Sequence, residues 1–260
     1  MEARLVPLGS GSHGNATLAE FGSTRILVDA GLPARTLGKR LESLGVAPGS
    51  ISAVLLSHEH QDHAQGAELF SRRYGVPVFS SLETLEALDR SPVHFSGWHP
   101  LEHARVTHIG AVRVDAFPVP HDAARPVGFV LESGGVRAGI VTDLGHATTL
   151  VVERLRGCHV LMVEANHDDA MLVNGPYPWQ VKQRVSSRLG HLSNVEAGRL
   201  LAHVVDDACQ AIVLAHLSEH NNTPELARAA TRNALRRAGR DSIAIHVAER
   251  LSPSRPVTAR

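Results

Sequence analysis

The segment Ala53-Val54-Leu55-Leu56-Ser57-His58-Glu59-His60-Gln61-Asp62-His63 begins as a short apolar run and ends with three imidazoles and the carboxylate of Asp62 within six residues. The run 53–57 predicts a buried strand, and the hexad lies at its end, where side chains can converge on one cavity. Imidazole nitrogen suits zinc, manganese or iron, and carboxylate oxygen widens the choice toward harder ions. A polar loop that happens to be rich in histidine would share this composition. A buried strand seldom delivers four ligand-type residues together by accident, so a metal site is the expectation.

Outward from this segment, Gly, Ser and Pro punctuate the chain into short elements. Residues 4–8, 16–20 and 25–29 predict strands upstream. Apolar spacing at Leu37, Leu41 and Leu44 predicts a helix over 37–44, with similar helices over 67–74 and 82–88. Strands follow over 104–108, 112–119, 127–132 and 136–142, the last two joined through Ser133-Gly134-Gly135 as a hairpin. The second half alternates short buried strands, 160–164 and 211–216, with helices over 181–189, 194–205 and 223–238. Strand clusters in each half with helices outside predict two sheets packed face to face and covered by helices, a four-layer α/β sandwich. Residues 1–251 are expected to form one domain, with 252–260 (SPSRPVTAR) a frayed polar tail.

The 260 residues carry 26 basic and 26 acidic side chains and 17 histidines. Ordinary apolar and charged fractions exclude disordered, collagenous and coiled-coil descriptions. A net charge of zero makes no electrostatic case for nucleic acid or anionic membrane, though a local basic face is compatible with it. No apolar run approaches the roughly 20 residues of a membrane span, and the N-terminus lacks the pattern of a secretory signal. A cytoplasmic protein without membrane contact is expected. Cys158 and Cys209, far apart in apolar settings, read as buried free thiols.

The pattern His58-x-His60-x-Asp62-His63, preceded by Ile26-Leu27-Val28-Asp29-Ala30-Gly31, resembles the metallo-β-lactamase superfamily. That resemblance implies an αββα sandwich with a one- or two-metal site at one edge of the sheets. It continues through His121 in Pro118-Val119-Pro120-His121-Asp122, Asp143 in Ile140-Val141-Thr142-Asp143, and His216 in Val213-Leu214-Ala215-His216-Leu217-Ser218. It implies His58, His60 and His121 for one divalent ion, Asp62, His63 and His216 for a second, and Asp143 between them. Zinc and manganese suit this set, and iron is a third candidate. Two such ions bridge and acidify a water and stabilise both the attacking and the leaving oxygen of a phosphoryl displacement, which places Asp62 in the catalytic set.

Superfamily membership leaves the reaction open. Gly190-His191-Leu192-Ser193-Asn194 and Leu214-Ala215-His216-Leu217-Ser218 resemble the paired segments of the phosphodiesterase branch. The stretch around His121 lacks the glycine pattern that the resemblance would imply for thioester and lactone hydrolases. Gly9-Ser10-Gly11-Ser12-His13-Gly14-Asn15-Ala16, Glu164-Ala165-Asn166-His167-Asp168, Asn174-Gly175-Pro176-Tyr177-Pro178 and His216-Leu217-Ser218-Glu219-His220-Asn221-Asn222 extend the likeness to the YycJ-like (WalJ-like) branch. This implies a phosphodiesterase whose partner is nucleic acid, DNA first, cleaved 5′→3′ as an exonuclease. The alternative is a small-molecule hydrolase acting on a cyclic phosphodiester or, behind it, a thioester or lactone. A regulatory module that keeps the site without turnover is a third reading, against which the intact ligand set speaks. His13 departs from the small residue usual in its loop and either crowds the site or adds a phosphate donor.

His191 is the candidate general acid, and Glu164, at the end of an apolar strand, is the carboxylate that would raise its pKa. Alternatively, Ser193 or Asn194 caps the next helix and His191 is merely nearby. Asn166 and His167 either contact substrate or stabilise a turn. The glycine-rich stretch 9–15 either cradles a phosphate or makes a hairpin. Arg228, Arg232, Arg236 and Arg240 recur every four residues on one helix, with Arg237 adjacent, and Lys182, Arg184 and Arg188 lie on another; each set either meets phosphates or forms a solvated face.

Overall fold

The computed structural model describes residues 2–102 and 105–260. The first sheet takes β1 (Ala3–Gly9), β2 (Ala16–Phe21), β3 (Thr24–Val28), β4 (Ala53–Leu55), β5 (Val78–Ser80) and β6 (Trp98–Pro100) in order. The second takes β7 (Thr107–Ile109), β8 (Val112–Pro118), β9 (Val127–Ser133), β10 (Val136–Val141), β11 (Val160–Glu164), β12 (Ala211–Ala215) and β13 (Ala244–Val247). The chain then returns to the first sheet, where β14 (Val257–Ala259) pairs antiparallel with β1.

Alternation along the strands explains the layering. Ile26 and Val28 of β3 face the core between the sheets, with Leu5, Leu55, Phe129, Met162 and Val213. Leu27, between them, packs outward with Leu37, Leu41 and Phe70 of the helices Ala34–Ser43 and Ala67–Tyr74. On the other side Leu161, Val163, Ile212 and Leu214 face outward onto Val151, Leu155, Leu200, Leu201 and Leu235 of the helices Thr149–Leu155, Asn194–Val204 and Pro224–Arg237. The result is the expected αββα sandwich.

Strands β3 through β6 run parallel, as do β10 through β13. Carboxyl ends of parallel strands are where open α/β sheets place ligands. The 133–135 hairpin turns at Gly134 and Gly135, both at positive φ (55° and 82°), as a tight two-residue turn requires.

Several expectations are corrected. The tail 252–260 is not frayed throughout: Val257 and Ala259 enter the core, and their backbone completes the edge beside β1. The helix expected over 181–189 is Trp179–Val185, because Gly190 and the preceding turn leave no room to extend it. Part of the strand expected over 104–108 lies outside the described residues, and β7 starts at Thr107. The helix Thr149–Leu155 and the short strands β5, β6 and β13 were not anticipated.

Candidate metal centre and active site

Asp29 follows β3, His58 to His63 follow β4, Asp143 follows β10, Glu164 ends β11 and His216 follows β12. Three of these hold a backbone that non-glycine residues rarely adopt: Asp29 at φ 61°, Asp143 at 55° and His216 at 54°. At all three the chain turns sharply off a buried strand and directs a polar side chain back over the strand ends. Such strain persists only where surrounding structure over-determines it, and it gathers at functional sites.

The histidines are oriented from behind. Asp29 accepts from the Ser57 backbone N–H at 2.8 Å, from the Ser57 hydroxyl at 3.0 Å and from His63 Nδ1 at 2.8 Å. A carboxylate only accepts, so His63 carries its hydrogen on Nδ1; Ser57, having given its proton to Asp29, accepts from His58 Nδ1 at 2.9 Å. His121 Nδ1 donates to the Gly190 carbonyl at 3.1 Å, and His216 Nδ1 donates to Glu164 at 2.8 Å. In all four imidazoles Nδ1 is engaged outward and Nε2 faces inward, the arrangement by which outer partners hold metal-binding histidines.

The inward atoms group as a metal requires. His58, His60 and His121 bring donor atoms within 4.8 Å of one another, as do Asp62, His63 and His216, and as do His58, His63 and Asp143. His121 Nε2 and His60 Nδ1 lie 3.3 Å apart, and two nitrogens each 2.0–2.1 Å from one tetrahedral ion stand about 3.3 Å apart. His58 Nε2 and Asp143 Oδ2 are buried without a hydrogen-bond partner, a costly state that a cation between them would relieve. Asp143 Oδ2 lies 3.0 Å from His63 Nε2, and its Oδ1 lies 3.7 Å from His121 Nε2, so this carboxylate spans the two groups. The donor set therefore fits divalent metal.

Charge points the same way. Burial and the neighbouring imidazoles push His58 well below its ordinary pKa, and burial lowers His121, so both stay neutral as ligands must. Burial opposes charge on His63 and His216 as well, but Asp143 and Asp29 outweigh it for His63, and Asp143, Asp62 and Glu164 do so for His216, lifting both well above the usual range. That half of the cluster is rich in carboxylates and attracts positive charge.

Glu164 is fully buried and accepts four times. Its Oε2 takes the backbone N–H of Leu144 at 3.0 Å and of Leu192 at 3.1 Å; its Oε1 takes Nδ1 of His191 and of His216, each at 2.8 Å. Burial alone would raise its pKa, but these imidazoles hold it at about 2. For His191, the opposing effect of burial is outweighed by Glu164 and Asp143, and its pKa is raised. With Nδ1 occupied, the Nε2 edge of His191 faces the pocket. Ser193 meanwhile caps the helix Asn194–Val204 in a capping box with Glu196, so the capping reading is also realised, beside His191 rather than instead of it.

The cluster lies at the bottom of an open cavity of about 340 Å³, lined by Ser12, His60, Asp62, His121, Asp143 and His191, and further out by Asn166, Tyr177, Val181 and Arg184. The glycine-rich stretch 9–15 is the hairpin between β1 and β2, and it interlocks with the site through backbone. A Cβ on Gly14 would sit 2.3 Å from the Gly31 carbonyl, and one on Gly31 would sit 1.6 Å from that of Asp62. Its product is Asn15, whose Nδ2 reaches Asp62 Oδ2 at 3.1 Å and His63 Nε2 at 3.0 Å. His13 is exposed and 3.7 Å from Glu219, and does not crowd the cluster. Asn166 donates to the His216 carbonyl, while His167 is buried below it. On the last helix Arg232 bonds the carbonyls of Asp241 and Ile243; Arg240, expected on the same helix, lies beyond its end at Arg237 and pairs with Asp207, and no residue of that helix lines the cavity. Sequence reading missed Asn15, the orienting work of Asp29 and Ser57, and the hold of Glu164 on His216. The motif Asp29-Ala30-Gly31 was the available signal.

No helix among the described residues is long and apolar enough to cross a membrane. Residues 24–236 match the beta-lactamase superfamily domain. Exodeoxyribonuclease YycJ of Bacillus anthracis is 32% identical over 238 residues, 89% of this chain and 89% of the relative. Exodeoxyribonuclease WalJ of Streptococcus pneumoniae is 32% identical over 235 residues, 89% of this chain and 87% of the relative. Among solved structures, the metallo-beta-lactamase fold protein YhfI from Bacillus subtilis superposes with a TM-score of 0.76 over 100% of both chains at 16% identity, a likeness of fold. The chain belongs to the beta-lactamase superfamily, as a YycJ/WalJ-like metal-dependent hydrolase.

Proposed function

We propose that this protein is a phosphodiesterase that uses two divalent ions, and specifically a cytoplasmic 5′→3′ exonuclease of DNA. The observation that carries the reading is the pairing of an inward-facing His and Asp cluster with His191, held through Nδ1 by Glu164 at 2.8 Å at the edge of that cluster, its ring 5.2 Å from those of His121 and His216. His58, His60 and His121 would hold one ion, Asp62, His63 and His216 the other, with Asp143 shared; zinc and manganese suit this nitrogen and oxygen set, and iron is a further candidate. Two ions so bound supply an acidified water and charge stabilisation for the attacking and leaving oxygens.

The chain's own residues do the rest. Asp29, Ser57, Gly190 and Glu164 keep four imidazoles in one tautomer. Asn15 fixes the Asp62 carboxylate. His191, its Nδ1 hydrogen held by Glu164, turns Nε2 to the cavity, and the Glu164 carboxylate favours its charged form; from there it protonates the departing oxygen. The two relatives named exodeoxyribonuclease direct the substrate choice toward DNA.

The test is hydrolysis of 5′-phosphorylated DNA and matched RNA by protein of measured metal content. Wild-type protein is expected to hold about two ions per chain and to shorten DNA from the 5′ end. His191→Ala is expected to lower kcat by about 10²–10⁴ with metal content retained. Full kcat in that variant would remove His191 from the chemistry, and absence of cleavage by metal-loaded wild type would remove the nuclease reading.

A further inference from the structure

One wall of the cavity is left unused by the chemistry above. Residues 174–190 leave the body of the protein, form the helix Trp179–Val185 and return, and no residue of that helix is buried. A segment that contributes nothing to the core needs another reason to be held in place, and it is held firmly. At its start, a Cβ on Gly175 would lie 2.2 Å from Asn221 Oδ1, and Lys182 Nζ reaches back to the Val173 carbonyl at 2.7 Å. At its end, His191 donates its backbone N–H to Val185 at 2.9 Å and Asp122 donates to Leu189 at 3.1 Å. Arg188 meets His146 at 2.9 Å, and a Cβ on Gly145 would lie 2.2 Å from the Arg188 carbonyl. The wall is fixed to the two loops that carry His121 and Asp143.

What the wall presents to the cavity is Tyr177, Val181, Arg184 and Val185. Tyr177 meets His220 edge to face, with centroids 5.9 Å apart, so a second aromatic ring supports it at the cavity wall. Arg184 Nε bonds Asp122 Oδ2 at 2.5 Å, directly beside His121. This contact uses one edge of a guanidinium that is itself largely exposed, and a guanidinium offers five donors in a fork suited to phosphate. Trp179, two residues before Val181, lies on the other side of the helix and is absent from the cavity lining.

Resting on the phosphodiesterase reading, we propose that residues 174–190 form a nucleotide-recognition wall: Tyr177 with Val181 receives the base of the nucleotide at the scissile linkage, and Arg184 binds an adjacent backbone phosphate. The cavity, at about 340 Å³, lies near the lower bound of pockets that enclose a ligand, so it takes the end of one strand. An aromatic ring next to an arginine is the combination by which proteins hold single-stranded nucleic acid without reading its sequence. A small cyclic phosphodiester would need neither. The wall thus selects a polynucleotide end over a minimal phosphodiester.

The test compares kcat/KM for a 5′-phosphorylated oligodeoxynucleotide with kcat/KM for bis(p-nitrophenyl) phosphate, using the metal-loaded protein. Tyr177→Ala is expected to lower the ratio of the two about tenfold, through a raised KM for the oligonucleotide, as loss of one base stack does. Tyr177→Phe is expected to restore it, since the ring and not the hydroxyl carries the contact. Arg184→Ala is expected to lower the same ratio and to reduce the salt slope of oligonucleotide binding by about 0.7, one single-strand phosphate contact. Trp179→Ala, facing away, is expected to match wild type. An unchanged ratio in Tyr177→Ala, with wild type cleaving the oligonucleotide, overturns the wall and leaves the nuclease reading standing. Wild type that hydrolyses the chromogenic ester but no polynucleotide overturns both.

Discussion

Asp29 touches no substrate and faces away from the cavity, yet its three hydrogen bonds set the tautomers of His58 and His63. Asn at this position presents an N–H₂ where only an acceptor is tolerated. Either that amide opposes the Ser57 backbone N–H, or it opposes the His63 Nδ1 hydrogen and His63 shifts its proton to Nε2, toward the cluster. Asp29→Asn is expected to lower metal affinity about 10–100-fold while the protein remains folded, measured by competition with a chromogenic chelator. Affinity equal to wild type would show that His63 is oriented by Asp143 and Asn15 without Asp29. Residues of this kind explain what the sequence conceals. The hexad 58–63 is legible because four donors, His58, His60, Asp62 and His63, fall within six residues. Asn15 and Ser57 are ordinary polar residues in loops, and only the fold reveals which imidazole each one serves. Glu164 was half legible: its link to His191 follows from motif order, but its simultaneous grip on His216 depends on β11 and β12 lying side by side.

Among the elements, the buried parallel strands β11 and β12 were readable as short apolar runs, and the helices Ala67–Tyr74 and Asn194–Val204 as 3.6-residue periodicity. β5, β6 and β14 have three residues each, too few for any period to register. β14 illustrates the cost of overlooking such a strand. Arg255 and Pro256 make its surroundings look like a tail, but Val257 and Ala259 pack among Leu5, Phe21 and Val213, and the backbone covers the open edge of β1. Deleting residues 256–260 removes about 2–3 kcal/mol of apolar burial, and exposes unpaired strand edge besides. The midpoint of thermal unfolding is expected to fall by about 4–10 °C. Activity at 20 °C should persist, since none of the deleted residues lines the cavity. A melting curve that coincides with that of the full chain would return the segment to the status of a frayed end.

For the whole molecule, a net charge of zero makes nucleic-acid affinity a matter of where the arginines are engaged. The arginine stripe expected on the last helix is the obvious basic face in the sequence, yet Arg232 ties down the carbonyls of Asp241 and Ile243 just after the helix, and Arg240, beyond the helix end, pairs with Asp207. Composition and spacing carry no information about such engagements, because both partners of Arg232 are backbone carbonyls, which every residue carries. The cavity instead takes Arg184 from the wall helix, with Lys182 and Arg188 on the same segment. At most three phosphates can therefore be met by this segment, and each single-strand contact contributes about 0.7 to the fall of log K with log salt. Binding of a cleavage-resistant phosphorothioate strand is expected to show a slope between about −1 and −2, shallow for a nucleic-acid enzyme. A slope of about −4 or steeper would mean that strands run on from the cavity over the last helix, and Arg228→Ala with Arg236→Ala would then flatten it; at the expected slope, that double variant binds as wild type does.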